Sequence, residues 1–191
     1  DEVELELDAS GRITVYTMSK SQGHGHETTF ATIVADALDV PFERVRIRQC
    51  APEKQHRLQG NHTGGSRSTV GAGSVCHLAA QKLIETGRAL AALELAVEPS
   101  QVEYAGGVFH TKESKRKVRL GDLAKSGVVS VTAEGKFGST FPNGCHIAEV
   151  EIDPSTGAVD IVSYVAVDDC GNVLDHTIVE AQIHGGVAQG L

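Results

Sequence analysis

Thr63-Gly64-Gly65-Ser66-Arg67-Ser68-Thr69 stands directly ahead of a long helical run, from about Ser68 through Gly87 towards Val97. Val70, Val75, Leu78, Ala79, Leu83, Leu90 and Leu93 supply its apolar positions. The two glycines free the backbone for tight or positive-φ conformations. Hydroxyls and one guanidinium then arrive where the helix starts. A helix start leaves N–H groups without partners and carries partial positive charge, so this stretch suits an anion such as phosphate. Arg67 adds a fork fitted to bidentate phosphate binding. The alternative is that Ser66 or Ser68 is only an N-cap and Gly64-Gly65 only a turn. Gly87 is the weak point at which the helix is expected to kink or break.

Working outward, Val3, Leu5 and Leu7 alternate with Glu2, Glu4 and Glu6, the period-two pattern of a half-buried strand. Asp8-Ala9-Ser10-Gly11 turns the chain, and Arg12 to Tyr16 returns it as a hairpin partner. After a polar glycine loop, Phe30, Ile33, Val34, Ala37 and Leu38 form one apolar helical stripe, with Thr28 or Thr29 as its cap. Pro41 stops that helix and Val45 to Arg48 follows as a strand, giving a β-β-α-β unit. Cys50 to His62 shows no periodicity and is expected as a polar loop.

On the C-terminal side, Gln101 to Tyr104 and Val108 to His110 form a small hairpin, and the basic run Lys112 to Arg119 is its solvated exit. A short helix near Leu120 to Lys125 precedes a strand from Val128 to about Val131. Ile147, Val150 and Ile152 lie on one strand, Pro154-Ser155-Thr156-Gly157 turns it, and Val159 to Val167 is its partner. Thr177 to Leu191 is helical with an interruption at Gly185-Gly186. Hairpin, loop and helix thus occur twice. The expected fold is α+β, two lobes of repeated β-hairpin–α–β units with mixed sheets backed by helices, residues 1–142 and 143–191.

The 191 residues carry a net charge of −8 with acidic groups dispersed, which disfavours nucleic acid as a partner. No apolar run approaches the roughly 18–20 residues a membrane span needs, and no basic segment followed by an apolar one marks a secretion signal. Cys50, Cys76, Cys145 and Cys170 form no CxxC pair, so reduced thiols and a cytoplasmic setting are expected. The chain opens on Asp1 inside a strand and closes on Gly190-Leu191 inside a helix, as a piece of a longer polypeptide would.

Three loops pair glycines with amide, hydroxyl, imidazole or guanidinium groups: Gln22 to Thr28, Thr63 to Thr69, and Asp168 to Asn172 with Gln182 to Gly186. Such loops suit a large polar ligand with phosphates and heteroaromatic edges. None matches a P-loop or a Rossmann fingerprint.

Gln22-Gly23-x-Gly25-His26-Glu27-Thr28-Thr29, Thr63-Gly64-Gly65-Ser66-Arg67-Ser68-Thr69, Val167-Asp168-Asp169-Cys170-Gly171 and Val179-Glu180-x-Gln182-x-His184-Gly185-Gly186-x-Ala188-Gln189-Gly190 together resemble the molybdenum hydroxylases, the xanthine dehydrogenase and aldehyde oxidase family. The wording is most similar to the large subunit of aerobic-type carbon monoxide dehydrogenases. The resemblance covers nearly the whole chain and implies part of a molybdopterin-binding domain. It implies a molybdopterin, in bacteria usually the cytosine dinucleotide form, carrying molybdenum in the intact parent and absent from the isolated piece.

By that resemblance Gln22, Gly23, His24 and Gly25 face the pterin, with His24 where the family often has Gln. Gly65, Ser66, Arg67, Ser68 and Thr69 hold the phosphates or nucleotide. Gln182, His184 and Gly185 approach the metal end, and Cys170 supports the same cleft. Leu174-Asp175-His176 and Ala181 depart from the family pattern. The catalytic glutamate of the family would lie beyond Leu191, so no catalytic residue and no protein metal ligand is assigned. Glu27 and Glu180 sit at a helix start and on a helix face, where a solvated role is commoner.

The implied partners are the rest of the large subunit and iron–sulfur and FAD subunits that carry electrons away after hydroxylation with water-derived oxygen. A homo-oligomer through apolar surface is the further assembly considered. Two other functions compete with this reading. One is a metal-binding module built on His24, His26 and His62. The other is a structural or subunit-contact domain whose glycine loops are only turns.

Overall fold

The fold is described from a computed structural model covering all residues except His56 and Ser114. Two compact units make up the chain, Asp1–Ser139 and Thr140–Leu191. Within the first, β1 (Glu2–Leu7) and β2 (Ile13–Thr17) form the expected hairpin, α1 spans His26–Leu38, and β3 (Val45–Gln49) returns parallel to β2. A π-helical turn, Thr69–Gly73, continues directly into α2 (Ser74–Leu95). Strands β4 (Glu103–Ala105), β5 (Val108–His110) and β6 (Lys117–Arg119) make a small antiparallel sheet. A 3₁₀ turn at Leu120–Ala124 leads to β7 (Val129–Glu134), which pairs antiparallel with β1. The main sheet therefore runs β3-β2-β1-β7 and is mixed, with α1 and α2 packed against it. This is an α+β fold.

Val3, Leu5 and Leu7 are fully buried on the helix-facing side, with Ile13 and Val15 beside them. The opposite side is not solvated as the alternation implied. Glu4 is 1% exposed, because Lys54, Ala51 and Leu58, from the segment after β3, lie over Tyr16 and the glutamates. A lysine arriving 50 residues later buries Glu4 in the middle of that face, while Glu2 and Glu6 stay half-buried.

Several local expectations are corrected. Neither Thr28 nor Thr29 caps α1; Gly25 does so in the left-handed conformation, φ 69°, with no side-chain cap. The hydroxyl of Thr29 instead donates to the carbonyl of Gly25 at 3.2 Å. No serine side chain caps the helix after Thr63–Thr69 either. The basic run is not merely an exit loop, since Lys117–Arg119 is strand β6, paired with β5 through Phe109 and Val118. Ser114, within that run, lies outside the described residues.

Gly87 does not break α2, which is continuous to Leu95. Its missing side chain makes room for the core: a methyl group there would lie 2.5 Å from Phe109 Cζ and 2.9 Å from Leu123 Cδ1. Phe109 is itself fully buried. Gly87→Ala is therefore expected to destabilise by about 1–3 kcal/mol through overpacking. A helix weak point would respond with the opposite sign, gaining roughly 0.5–1 kcal/mol from alanine. Urea unfolding of the two chains decides between these signs, and Phe109→Leu in the same background should return part of any loss.

In the second unit β8 (Asn143–Ile152) and β9 (Val159–Asp169) form a long antiparallel hairpin with an irregularity at Glu149/Val150. Helix α3 (His176–Gly190) follows, capped by the Asp175 carboxylate, which accepts from the Ile178 amide at 3.0 Å. The helix passes through Gly185-Gly186 without interruption. No helix among the described residues is long and apolar enough to cross a membrane.

Candidate functional site

The organising stretch folds into a left-handed turn that leads into a helix. Gly65 and Ser66 are both left-handed, φ 64° and 54°, and backbone geometry turns helical at Ser68. The first main-chain donors satisfied beyond them are Gly71, bonded to Arg67 O at 2.7 Å, and Gly73, bonded to Ser68 O at 3.0 Å. Among the described residues the N–H groups of Gly65, Ser66, Arg67, Ser68 and Thr69 have no partner. Unpartnered successive amides in a turn at a helix start form a donor set that can bind an anion. The Arg67 side chain is exposed and makes no ion pair or hydrogen bond among the described residues. A side chain on Gly65 would meet open space, so glycine serves the backbone conformation there and not a packing contact.

One hydroxyl joins this loop to the first glycine loop. Thr63 Oγ1 donates to Lys20 O at 2.6 Å, accepts from Ser68 Oγ at 3.3 Å and lies 3.4 Å from Ser19 Oγ. The Ser19–Gly25 loop is held from within as well: the Gln22 amide donates to His24 Nδ1 at 3.1 Å and the His24 amide to Ser21 Oγ at 3.2 Å. Gly23 and Gly25 take φ 88° and 69°. Gln49 on β3 bridges the loop to α1, accepting from the Ser21 amide and donating to Glu27 Oε1. Glu27 thus braces the loop. No local pattern announces the Thr63 junction, which joins residues 43 apart in the chain.

His24 and His26 do not behave as a chelating pair. His26 is 4% exposed, stacked on Phe30 with ring centroids 4.8 Å apart, and burial holds its pKa below the ordinary histidine value, with His24 adding to the effect. His26 Nδ1 is buried without a hydrogen-bond partner among the described residues. No group of three or more His, Cys, Asp or Glu with metal-binding geometry occurs among the described residues. The histidine module therefore lacks a ligand set here, His26 being committed to the core.

The remaining candidates lie in the second unit. Cys170 is an exposed thiol in the turn after β9, where Gly171 is left-handed and its amide bonds Asp169 Oδ1 at 2.9 Å. Gln182, His184 and Gly185 are exposed on α3. Two residues apart on a continuous helix, Gln182 and His184 face different neighbours. Sequence reading missed a cross-strand trio on this unit. His146 Nδ1 lies 2.9 Å from the Tyr164 hydroxyl and Nε2 lies 3.0 Å from Asp168 Oδ2. The register places His146 opposite Ala166, with Tyr164 and Asp168 two residues to either side. Only that register could have revealed it.

The family model of the molybdopterin cofactor-binding domain matches residues 1–191. The chain belongs to this family. Its large-subunit relatives include nicotine 6-hydroxylase of Paenarthrobacter nicotinovorans, 33% identical, and the carbon monoxide dehydrogenase large chain of Hydrogenophaga pseudoflava, 30% identical. Both matches cover 100% of this chain and 25% of the relative, so the chain spans about a quarter of their length. Among solved structures, the Cu,Mo-carbon monoxide dehydrogenase in its carbon monoxide reduced state superimposes with a TM-score of 0.81 at 28% identity, over 97% of this chain and 24% of that one. Quinoline 2-oxidoreductase of Pseudomonas putida 86 gives 0.78 at 29% identity, over 99% and 26%. The resemblance drawn from the four motifs is thereby shown.

Proposed function

We propose that this molybdopterin-binding domain holds the anionic part of its cofactor at Gly65–Thr69, with Arg67 completing the cradle. The observation that carries the reading is the row of unpartnered main-chain amides behind two left-handed residues, beside an uncommitted guanidinium. That donor set suits phosphate or pyrophosphate, and it suits the cytosine dinucleotide form of the cofactor best, since this form carries a pyrophosphate. Gln22 to Gly25, joined to the cradle by Thr63, lies beside it for the pterin edge. By the family resemblance, Cys170, Gln182, His184 and Gly185 of the second unit are further candidates for cofactor contact.

The same reading makes the chain part of the large subunit of a cytoplasmic molybdenum hydroxylase, whose partners are the remainder of that subunit and iron–sulfur and FAD subunits. When bound, the cofactor supplies the molybdenum redox centre; this chain's residues bind and orient it. The direct test is titration of the 15N-labelled chain with pyrophosphate. Shifts confined to the Gly65–Thr69 amides and the Arg67 side chain are expected. Shifts scattered over surface lysines, or none, would show that the loop is only a turn ahead of a helix.

A further inference from the structure

The segment that delivers the cradle is not free to choose its own position. Its described residues from Cys50 to Asn61 are laid across the outer face of the main sheet and fastened at successive points. Glu53 pairs with Arg48 at 2.9 Å. Lys54 Nζ reaches Glu6 Oε1 at 2.7 Å and Glu4 Oε1 at 2.9 Å, and stands 4.5 Å from the centre of the Tyr16 ring. Ser130 Oγ donates to the same Glu4 oxygen at 2.8 Å, and Arg57 lies 3.8 Å from it. The Gln59 amide donates to Glu2 Oε2 at 2.6 Å and the Asn61 amide to Asp1 Oδ1 at 2.7 Å. Two residues further on, Thr63 makes the junction of the two glycine loops.

Only one of these fastenings is deeply buried. The side chains of Lys54 and Glu4 are 8% and 2% exposed, whereas Arg48, Glu53 and Arg57 are largely in solvent. Exposed pairs contribute little; a charge pair closed off from water holds its partners firmly, because separating them strands a charge. Glu4 Oε2 has no partner among the described residues, where the carboxylate is compensated by Lys54, Ser130 and Arg57.

We infer that Lys54 is a positioning residue, whose ion cluster with Glu4 and Glu6 clamps the Cys50–Asn61 strap to strand β1 and thereby sets the place of the Gly65–Thr69 cradle. The clamp rests on the cradle reading for its functional consequence, but its mechanical part stands alone. Burial opposes both charges, yet the mutual hydrogen bonds prevail, holding the Glu4 pKa below the ordinary glutamate value and the Lys54 pKa above the ordinary lysine value. The contribution from Glu4 is therefore present above its unfolded pKa and lost as pH falls through the lowered value. That from Lys54 is present below its unfolded pKa and lost as pH rises through the raised one. Across the neutral range the clamp stays closed.

The test is amide hydrogen exchange on the full chain and on Lys54→Met, Glu6→Gln and the double variant Glu4→Gln/Lys54→Met, with pyrophosphate titration of each. Lys54→Met leaves Glu4 charged and buried, so the strap should lift to admit water. The Leu58, Gln59 and Asn61 amides should lose protection while the β1–β2 ladder keeps it, and the pyrophosphate shifts at Gly65–Thr69 should weaken. Neutralising the stranded carboxylate in the double variant should restore protection of the strap. Glu6→Gln, which leaves the buried pair in place, should behave like an intermediate and keeps the test open if Lys54→Met fails to fold. Equal strap protection in the parent chain and in the folded Lys54 and Glu6 variants overturns the clamp. So does lost protection that the double variant does not recover, since that would make Lys54 a packing residue. If the parent chain fails to bind pyrophosphate, the cradle reading fails, while the exchange data still judge the clamp.

Discussion

Phe30→Ala is expected to cost about 3–5 kcal/mol, the range for a fully buried aromatic truncated to alanine. A typical domain of this size has only about 5–15 kcal/mol in total, so the variant should sit near the edge of folding. Phe30 is fully buried and takes its place in the core through α1. Its ring also stacks under His26 and lies against Gly73, where a methyl group would come within 3.7 Å of Phe30 Cε1. It thus supports the start of α1, behind the Gly23–Gly25 loop, and the π-helical turn behind the Gly65–Thr69 loop. Truncation should therefore loosen both glycine loops ahead of general unfolding. Urea denaturation gives the stability loss as a lower midpoint at unchanged slope. Limited proteolysis below the midpoint should cut first within 19–25 and 60–68. A loss under 1 kcal/mol, or first cuts elsewhere, would show that the two loops are held independently of this ring.

The parts of the fold that were legible in sequence are those in which neighbours along the chain decide the outcome. Alternation at Val3, Leu5 and Leu7, the stripe from Phe30 to Leu38 and the turn at Pro154 to Gly157 each appear where expected. What failed was set by contacts distant in sequence. Glu4 looked solvated because the strand pattern carries no trace of Lys54. Gly87 looked like a flaw because helix propensity penalises glycine, and only Phe109 and Leu123 explain why a larger residue is excluded. Gly185-Gly186 looked like a break for the same reason, yet a single turn of weak formers does not end a helix whose N-terminus is capped by Asp175.

The candidate site shows the same division. Its glycine loops announce themselves by composition, and the anion reading of Thr63–Thr69 followed from residue types alone. Left-handed geometry at Ser66 was not readable, because serine is not a residue that demands it. A left-handed serine must be held by its surroundings, and the strap, the Thr63 junction and the π-helical turn surround it on both sides along the chain. The loop conformation is in this sense a tertiary product built from a local motif.

Arg67→Ala carries the last expectation. In a large subunit containing this sequence, loss of the guanidinium should weaken cofactor retention by roughly 1.5–3 kcal/mol, the worth of a hydrogen bond to a charged group. That corresponds to on the order of ten- to a hundredfold in affinity. Arg67→Lys should recover only part of it, because an ammonium cannot reproduce a bidentate fork. Stability should hardly move, since Arg67 is exposed and has no partner among the described residues whose loss would register. The comparison is molybdenum content after gel filtration, set beside the melting temperature of the cofactor-free chain. Retained molybdenum together with a sharply lowered melting temperature would make Arg67 a structural residue. Reduced molybdenum at unchanged melting temperature would assign the binding energy to the loop itself, and the main-chain amides of Gly65 to Thr69 would then account for whatever affinity remains.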